Sequence, residues 1–145
     1  MRKNGVSKAS LIDFVHGMES HSEQNDPLTY EIIRCGISVH SQLGPGLLER
    51  PYQYFFAYEL KKAGLSIAQQ KSFSIKYDGH SFDLGFRGDI VVENQVIIEI
   101  KTVTALLPIH TAQVLTYLRL SGIERGLLMN FHAQPLTSGL KRLVL

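Results

Sequence analysis

The sequence predicts a mixed α/β domain in which a central mixed sheet is flanked by helices. Three observations predict it. Apolar residues recur at helical spacing as far as Gly64, short alternating runs occupy 72–101, and a helix-length segment then separates two strand-like runs. The order is helix, helix, several strands, helix, strand.

The 145 residues suit one domain, and 44% hydrophobic side chains are ample for a core. A net charge of +2 is far below the Lys/Arg excess that alone marks a nucleic-acid binder. The single cysteine, Cys35, excludes an internal disulfide and a Cys-based zinc site. Asp13, His16 and Glu19 interrupt the apolar run a signal peptide would need, and nothing approaches the ~18 apolar residues of a membrane span. A soluble, cytoplasmic protein is expected.

Residues 1–26 are polar and irregular, and read as a flexible extension ahead of a domain over 27–145. Ile32, Gly36, Val39 and Leu43 then recur at helical spacing, with Asp26 placed to cap beside Pro27, which predicts a first helix over 28–42. Gly44-Pro45-Gly46 breaks the chain. Leu48, Tyr52, Phe55 and Phe56 resume a helical stripe that stops at Gly64, so Pro51 must fall in the first turn, where its missing N–H matters least.

Beyond Gly64 the runs 72–77, 80–86, 88–92 and 96–101 read as an antiparallel meander, with Asp78-Gly79 as its first turn. Pro108 opens a third helix over 108–120, which Gly122 ends. The apolar run 126–131 reads as a buried strand, and 141–145 as a last short one. The third helix is placed to be the crossover of a parallel strand pair.

The most informative segment runs from Arg87 through Asp89 and Glu99 to Lys101, a hairpin with two carboxylates and a lysine among β-branched residues. Alternation puts Ile97, Glu99 and Lys101 on one face and Val96, Ile98 and Ile100 on the other. A two-residue loop at Glu93-Asn94 would set Asp89 opposite Ile98, whereas an odd loop centred on Asn94 pairs Asp89 with Glu99. The odd loop is expected, three residues long, with Asn94 or Gln95 at positive φ.

Opposed carboxylates repel across a strand pair and need a compensating cation, which Mg²⁺ or Mn²⁺ supplies. Such an ion polarises a phosphate and lowers the pKa of a bound water, and Lys101 is placed to orient that water or stabilise developing charge. A solvated strand face with Glu99 and Lys101 as ordinary polar residues fits the same pattern. The apolar flanks argue against it, because they imply a central strand, where charges need a reason.

In the third helix, His110, Gln113 and Tyr117 share one stripe, either as site residues or as a boundary face bonded to water and backbone. Glu49 opens the second helix, where the helix dipole alone favours a carboxylate. Gly44 and Gly46 serve as turn residues on the simplest reading. His40, His80 and His132 lack metal-ligand spacing, and Cys35 has no evident catalytic partner.

With these residues in hand, the sequence resembles the GxxExxY family, a small branch of the PD-(D/E)xK nuclease superfamily. The naming motif stands as Gly46-Leu-Leu-Glu49-Arg-Pro-Tyr52, followed by Asp89, Glu99-Ile-Lys101, Gln113-Val-Leu-Thr-Tyr117 and Gly126-Leu-Leu-Met-Asn130-Phe131. The likeness covers residue 28 to the C-terminus. It implies a restriction-endonuclease-like core with Asp89 and Glu99 as metal ligands, Lys101 as the catalytic lysine and Glu49 as an additional acidic residue. Gln113 and Tyr117 look like the Q-x-x-x-Y motif of repair nucleases, which shapes the site and contacts DNA. Pro51 is a departure, since it lies inside the naming motif beside Glu49.

The function expected is metal-dependent hydrolysis of DNA phosphodiester bonds, with Mg²⁺ or Mn²⁺ as cofactor and DNA as partner. Two alternatives stand beside it. One is a nucleic-acid-binding module without cleavage, using Arg87, Lys101, Arg119 and Arg125 on phosphates. The other is an interaction scaffold presenting Tyr52, Tyr54, Phe55 and Tyr58, although these aromatics read more simply as core. A domain this small is expected to need a homodimer or a larger nucleic-acid-processing partner to hold DNA.

Overall fold

The computed structural model describes residues 26–145, except for the side chains of 84–86. The expected extension thus falls, except for Asp26, outside the described residues. Helix α1 spans Pro27–Leu43, with Pro27 in its first turn and Asp26 as its cap. The Asp26 carboxylate accepts from the Leu28 N–H at 3.1 Å and from the Thr29 hydroxyl.

The glycine-rich break after α1 is tied to the next helix by Tyr52, whose hydroxyl donates to the Gly44 carbonyl and accepts from the Leu47 N–H at 3.3 Å. Helix α2 spans Glu49–Lys62 and carries Pro51 in its first turn. It ends as expected at Gly64, which sits at φ +84 and donates to the Lys61 carbonyl, while the Leu65 N–H reaches back to Leu60 at 3.1 Å.

Strands β1, Ile67–Tyr77, and β2, His80–Val92, form one long ribbon. The Asp78-Gly79 turn holds both residues at positive φ, 51 and 73. Strand β2 is continuous where two runs were expected, because Gly88 lies inside it: a Cβ there would stand 3.3 Å from Ile97 Cγ2. β1 also begins before the expected 72, because cross-strand pairing with β2 extends it over Ala68 and Gln69, where the sequence shows no apolar alternation.

Strand β3 spans Val96–Lys101, helix α3 Pro108–Ser121, β4 Arg125–Asn130 and β5 Leu140–Val144, with a short 3₁₀ turn at Leu136–Gly139. The sheet order is β1-β2-β3-β4-β5. All neighbours are antiparallel except β3 and β4, the parallel pair that α3 connects. β3 is therefore the middle strand.

The alternation of β3 divides the interior in two. Val96, Ile98 and Ile100 face α1 and α2, in a core with Ile32, Val39, Tyr52, Phe56, Met129 and Phe131. Ile97 faces α3, in a second core with Val91, Val114, Leu115, Leu118 and Leu143. Helix α3 approaches β4 at Gly126, where a Cβ would stand only 2.7 Å from Val114 Cγ1.

The expected stripe on α2 needs correction. Tyr52, Phe56 and Leu60, one turn apart, are its inward line, whereas Leu48 is 78% exposed and Phe55, Tyr54 and Tyr58 also face outward. A single-faced contact with the sheet leaves no room for a wider stripe. Of the four aromatics read as core, only Tyr52 is core. No described helix is long and apolar enough to cross a membrane.

Candidate active site

The β2–β3 hairpin decides which side chains meet. Val92 pairs with Val96, leaving the three-residue loop Glu93-Asn94-Gln95. The odd loop is as expected, with positive φ at Asn94 (53°) as anticipated and also at Glu93 (52°), which was not. Glu93 is held there by Ser66: their backbones bond at 2.8 Å, and the Glu93 carboxylate accepts the Ser66 N–H at 2.8 Å.

Ladder pairing runs through Ile90 and Ile98, and the next step of that register sets Asp89 opposite Glu99. There the Asp89 side chain takes over from the ladder, Oδ2 accepting the Ile100 N–H at 2.8 Å. Asp89 is half-buried and Glu99 only 7% exposed. Lys101, two residues along the same face, places Nζ 3.8 Å from Glu99 Oε1.

Glu99 is strongly perturbed electrostatically. Burial first, then the neighbouring Asp89 charge, pushes its carboxyl up to about 8, with Lys101 opposing and Glu49 adding to the rise. Its Oε2 is buried without a hydrogen-bond partner. The contact between the two carboxyls is a hydrogen bond only when one of them holds a proton. When both ionise, a cation must stand in for that proton.

Helix α3 brings two of its expected residues towards the pair. Burial raises the Tyr117 phenol, and the negative charges of Glu99 and Asp89 raise it further, so it is a neutral hydroxyl within their field. Burial, with the Lys101 charge, lowers His110, whose Nδ1 accepts the Leu107 N–H at 3.0 Å at the start of the helix. Gln113 is half-buried between them on α3, and its side chain forms no hydrogen bond among the described residues. His110 is thus an uncharged group beside the lysine.

Glu49 is exposed at the first position of α2 and lines a cleft with Asp89. Among the described residues no three His, Cys, Asp or Glu side chains converge closely enough to hold a metal ion. The site is a two-carboxylate site, with Glu49 at its margin. Asp89 and Glu99 fit a hard divalent cation: their donors are oxygens, they face one another, and one buried oxygen lacks a partner.

Three supporting residues gave little sign of themselves in the sequence. Asn130, buried at the end of β4, accepts the Val103 N–H at 3.1 Å and donates to the Val103 carbonyl at 2.8 Å, which fixes the chain just after Lys101. A lone amide ending an apolar strand was the available signal. Gln53 donates to the Asp89 carbonyl at 3.1 Å, and the Gln70 amide reaches Gln53 at 2.9 Å and Asp89 Oδ1 at 3.4 Å. These two carry no local signature. Of the expected phosphate contacts, Arg125 is instead paired with Asp26, which pins the start of α1 to β4.

A family model described as the PD-(D/E)XK nuclease superfamily matches residues 26–143. The chain belongs to that superfamily. No curated protein and no solved structure matches it. For a PD-(D/E)XK domain the mixed α/β architecture is the expected one, and its middle strand here carries the Glu-x-Lys element at an end where the second core gives way to polar groups.

Proposed function

We propose that this protein is a Mg²⁺- or Mn²⁺-dependent nuclease hydrolysing DNA phosphodiester bonds, within the GxxExxY branch of its superfamily. The observation that carries the proposal is the facing pair Asp89 and Glu99, with Glu99 Oε2 buried without a donor and Lys101 Nζ 3.8 Å from the other Glu99 oxygen, Oε1. Two carboxylates are held against their mutual repulsion on the adjacent strands β2 and β3, an arrangement that stability alone does not favour.

In this reading Asp89 and Glu99 hold the ion, with Glu49 contributing from the margin. When bound, it supplies a polarised phosphate and an acidified water. Lys101 donates to the phosphoryl oxygen or to the attacking water and stabilises charge as it develops. His110 is kept neutral by its surroundings, so it does not compete with Lys101 for the phosphate's negative charge. Tyr117 and Gln113 offer uncharged donors along α3 for the phosphate next to the scissile one.

The test is calorimetric titration of Mn²⁺ into the wild type and the Asp89→Ala/Glu99→Ala variant, with a plasmid-cleavage assay in parallel. Metal binding and cleavage should both be present in the wild type and both absent in the variant. A wild type that binds no metal, with or without DNA, overturns the proposal and leaves a binding module without cleavage.

A further inference from the structure

Beside the carboxylate pair lies a cleft of about 500 Å³ between the first turns of α2 and the β1–β2 ribbon, lined by Arg50, Gln53, Tyr54, Gln70, Arg87 and Asp89 among others. Glu49 and Asp89 carry its negative charge and the two arginines its positive charge. Both guanidiniums are exposed, and neither is in an ion pair or hydrogen bond among the described residues. Unpaired guanidiniums on a concave wall fit phosphate better than they fit any group already on this surface.

Tyr54 sets the character of the ligand. Its ring is 69% exposed, and among the outward aromatics of α2 it is the one that lines this cleft. A duplex keeps its base faces stacked inside the helix, so an exposed ring in a cleft that also holds two phosphate-seeking cations suits an unpaired base.

The cleft is also wired to the catalytic pair. Gln70 lies across the ribbon from Asp89, at the step missing from the ladder between the Gln69–Ile90 and Lys71–Gly88 pairs, and sits at φ 51. A left-handed glutamine inside a strand is a costly conformation. It directs the Gln70 amide onto Gln53 and Asp89, so the cleft wall and Asp89 share one hydrogen-bond network.

We propose that this cleft receives a single-stranded segment of the DNA substrate, with Arg50 and Arg87 on its phosphates and Tyr54 stacked on an unpaired base. The substrate thus has single-stranded character next to the scissile bond, as at a flap, a gap or a frayed end. This rests on the nuclease reading for the identity of the substrate, and on the cleft itself for the mode of binding.

Fluorescence anisotropy in a chelating buffer separates the two, because it reads binding without cleavage. A short labelled oligonucleotide and its duplex are titrated across a salt series with wild type, Tyr54→Ala, Tyr54→Phe and Arg50→Ala/Arg87→Ala. Thermal melts check folding, which these exposed positions should leave intact. Tyr54→Ala should weaken single-strand binding roughly tenfold and Tyr54→Phe should restore it. The double arginine variant should flatten the salt slope by about 1.4. Duplex binding should change far less with Tyr54→Ala. Wild type that ignores single strands, folded variants that bind them as wild type does, or equal losses on duplex and single strand each overturn the proposal. Cleavage with Mn²⁺ distinguishes the remaining cases. A wild type that cleaves while these variants bind normally sinks the cleft and spares the nuclease; Tyr54-dependent binding without any cleavage does the reverse.

Discussion

The two faces of β3 differ sharply in character. Towards α1 and α2, Val96, Ile98 and Ile100 lie in a closed apolar core capped by Tyr52 stacked on Phe131, ring centroids 4.6 Å apart. Towards α3, Ile97 starts a similar core, but the next residues on that face are Glu99 and Lys101. One strand thus serves as scaffold on one side and carries the candidate site on the other. The difference shows how charge is kept buried: the closed face supplies rigidity, and the open one spends part of it.

The largest effect should come from breaking the closed face. Phe56→Ala removes a fully buried ring and should cost about 3–5 kcal/mol in denaturant unfolding. A loss below ~1 kcal/mol would mean that this face is not the main core.

On the open face the loss should appear in rate instead. Lys101→Met keeps the stem and removes the charge, and should lower single-turnover cleavage by roughly 10²–10³-fold with little change in unfolding free energy. A rate near that of the wild type would remove Lys101 from the chemistry.

Asn130 links the two faces, since it lies at the end of β4 and clasps the chain after Lys101. Asn130→Ala leaves the Val103 N–H and carbonyl without their partner, which should cost about 1–3 kcal/mol. Cleavage should fall with it, even at temperatures where the variant is fully folded. If stability falls alone, the clasp supports the fold and not the site.

The electrostatic effect carries a definite sign. Glu99 is raised to about 8 when folded, so the native protein keeps a proton that the unfolded chain has released. In metal-free buffer, stability should therefore decline as pH rises from the ordinary carboxylate range, ~4.3, to about 8. Glu99→Gln should flatten that decline and melt higher than the wild type at pH 8. A steeper decline in the variant would contradict the buried-carboxylate account.

Much of this was legible beforehand. The bounds of β3, the three-residue loop, the Asp89–Glu99 pairing and the parallel crossover follow from alternation, loop parity and segment length. The departures have physical causes, most of them distant in the chain. Positive φ fell on Glu93 because Ser66, distant in sequence, holds that residue. The outward turn of Phe55 and Tyr58 was hidden because aromatic content marks burial only on average. Arg125 was expected on phosphate because nothing near it in the chain announces Asp26, 99 residues away.

By itself, then, the sequence determined the elements, their order and the residues that alternate onto one face of β3, since those depend on a period of two or 3.6 and on turn chemistry within a few residues. Only the tertiary structure decided that Glu99 is buried beside Asp89 with an oxygen left over, that Asn130 clasps Val103, and that Gln53 and Gln70 join Asp89 to a cleft. Those contacts join residues 10 to 36 positions apart in the chain. Burial and pairing at such range are set by how helices and sheet pack, which no local pattern encodes.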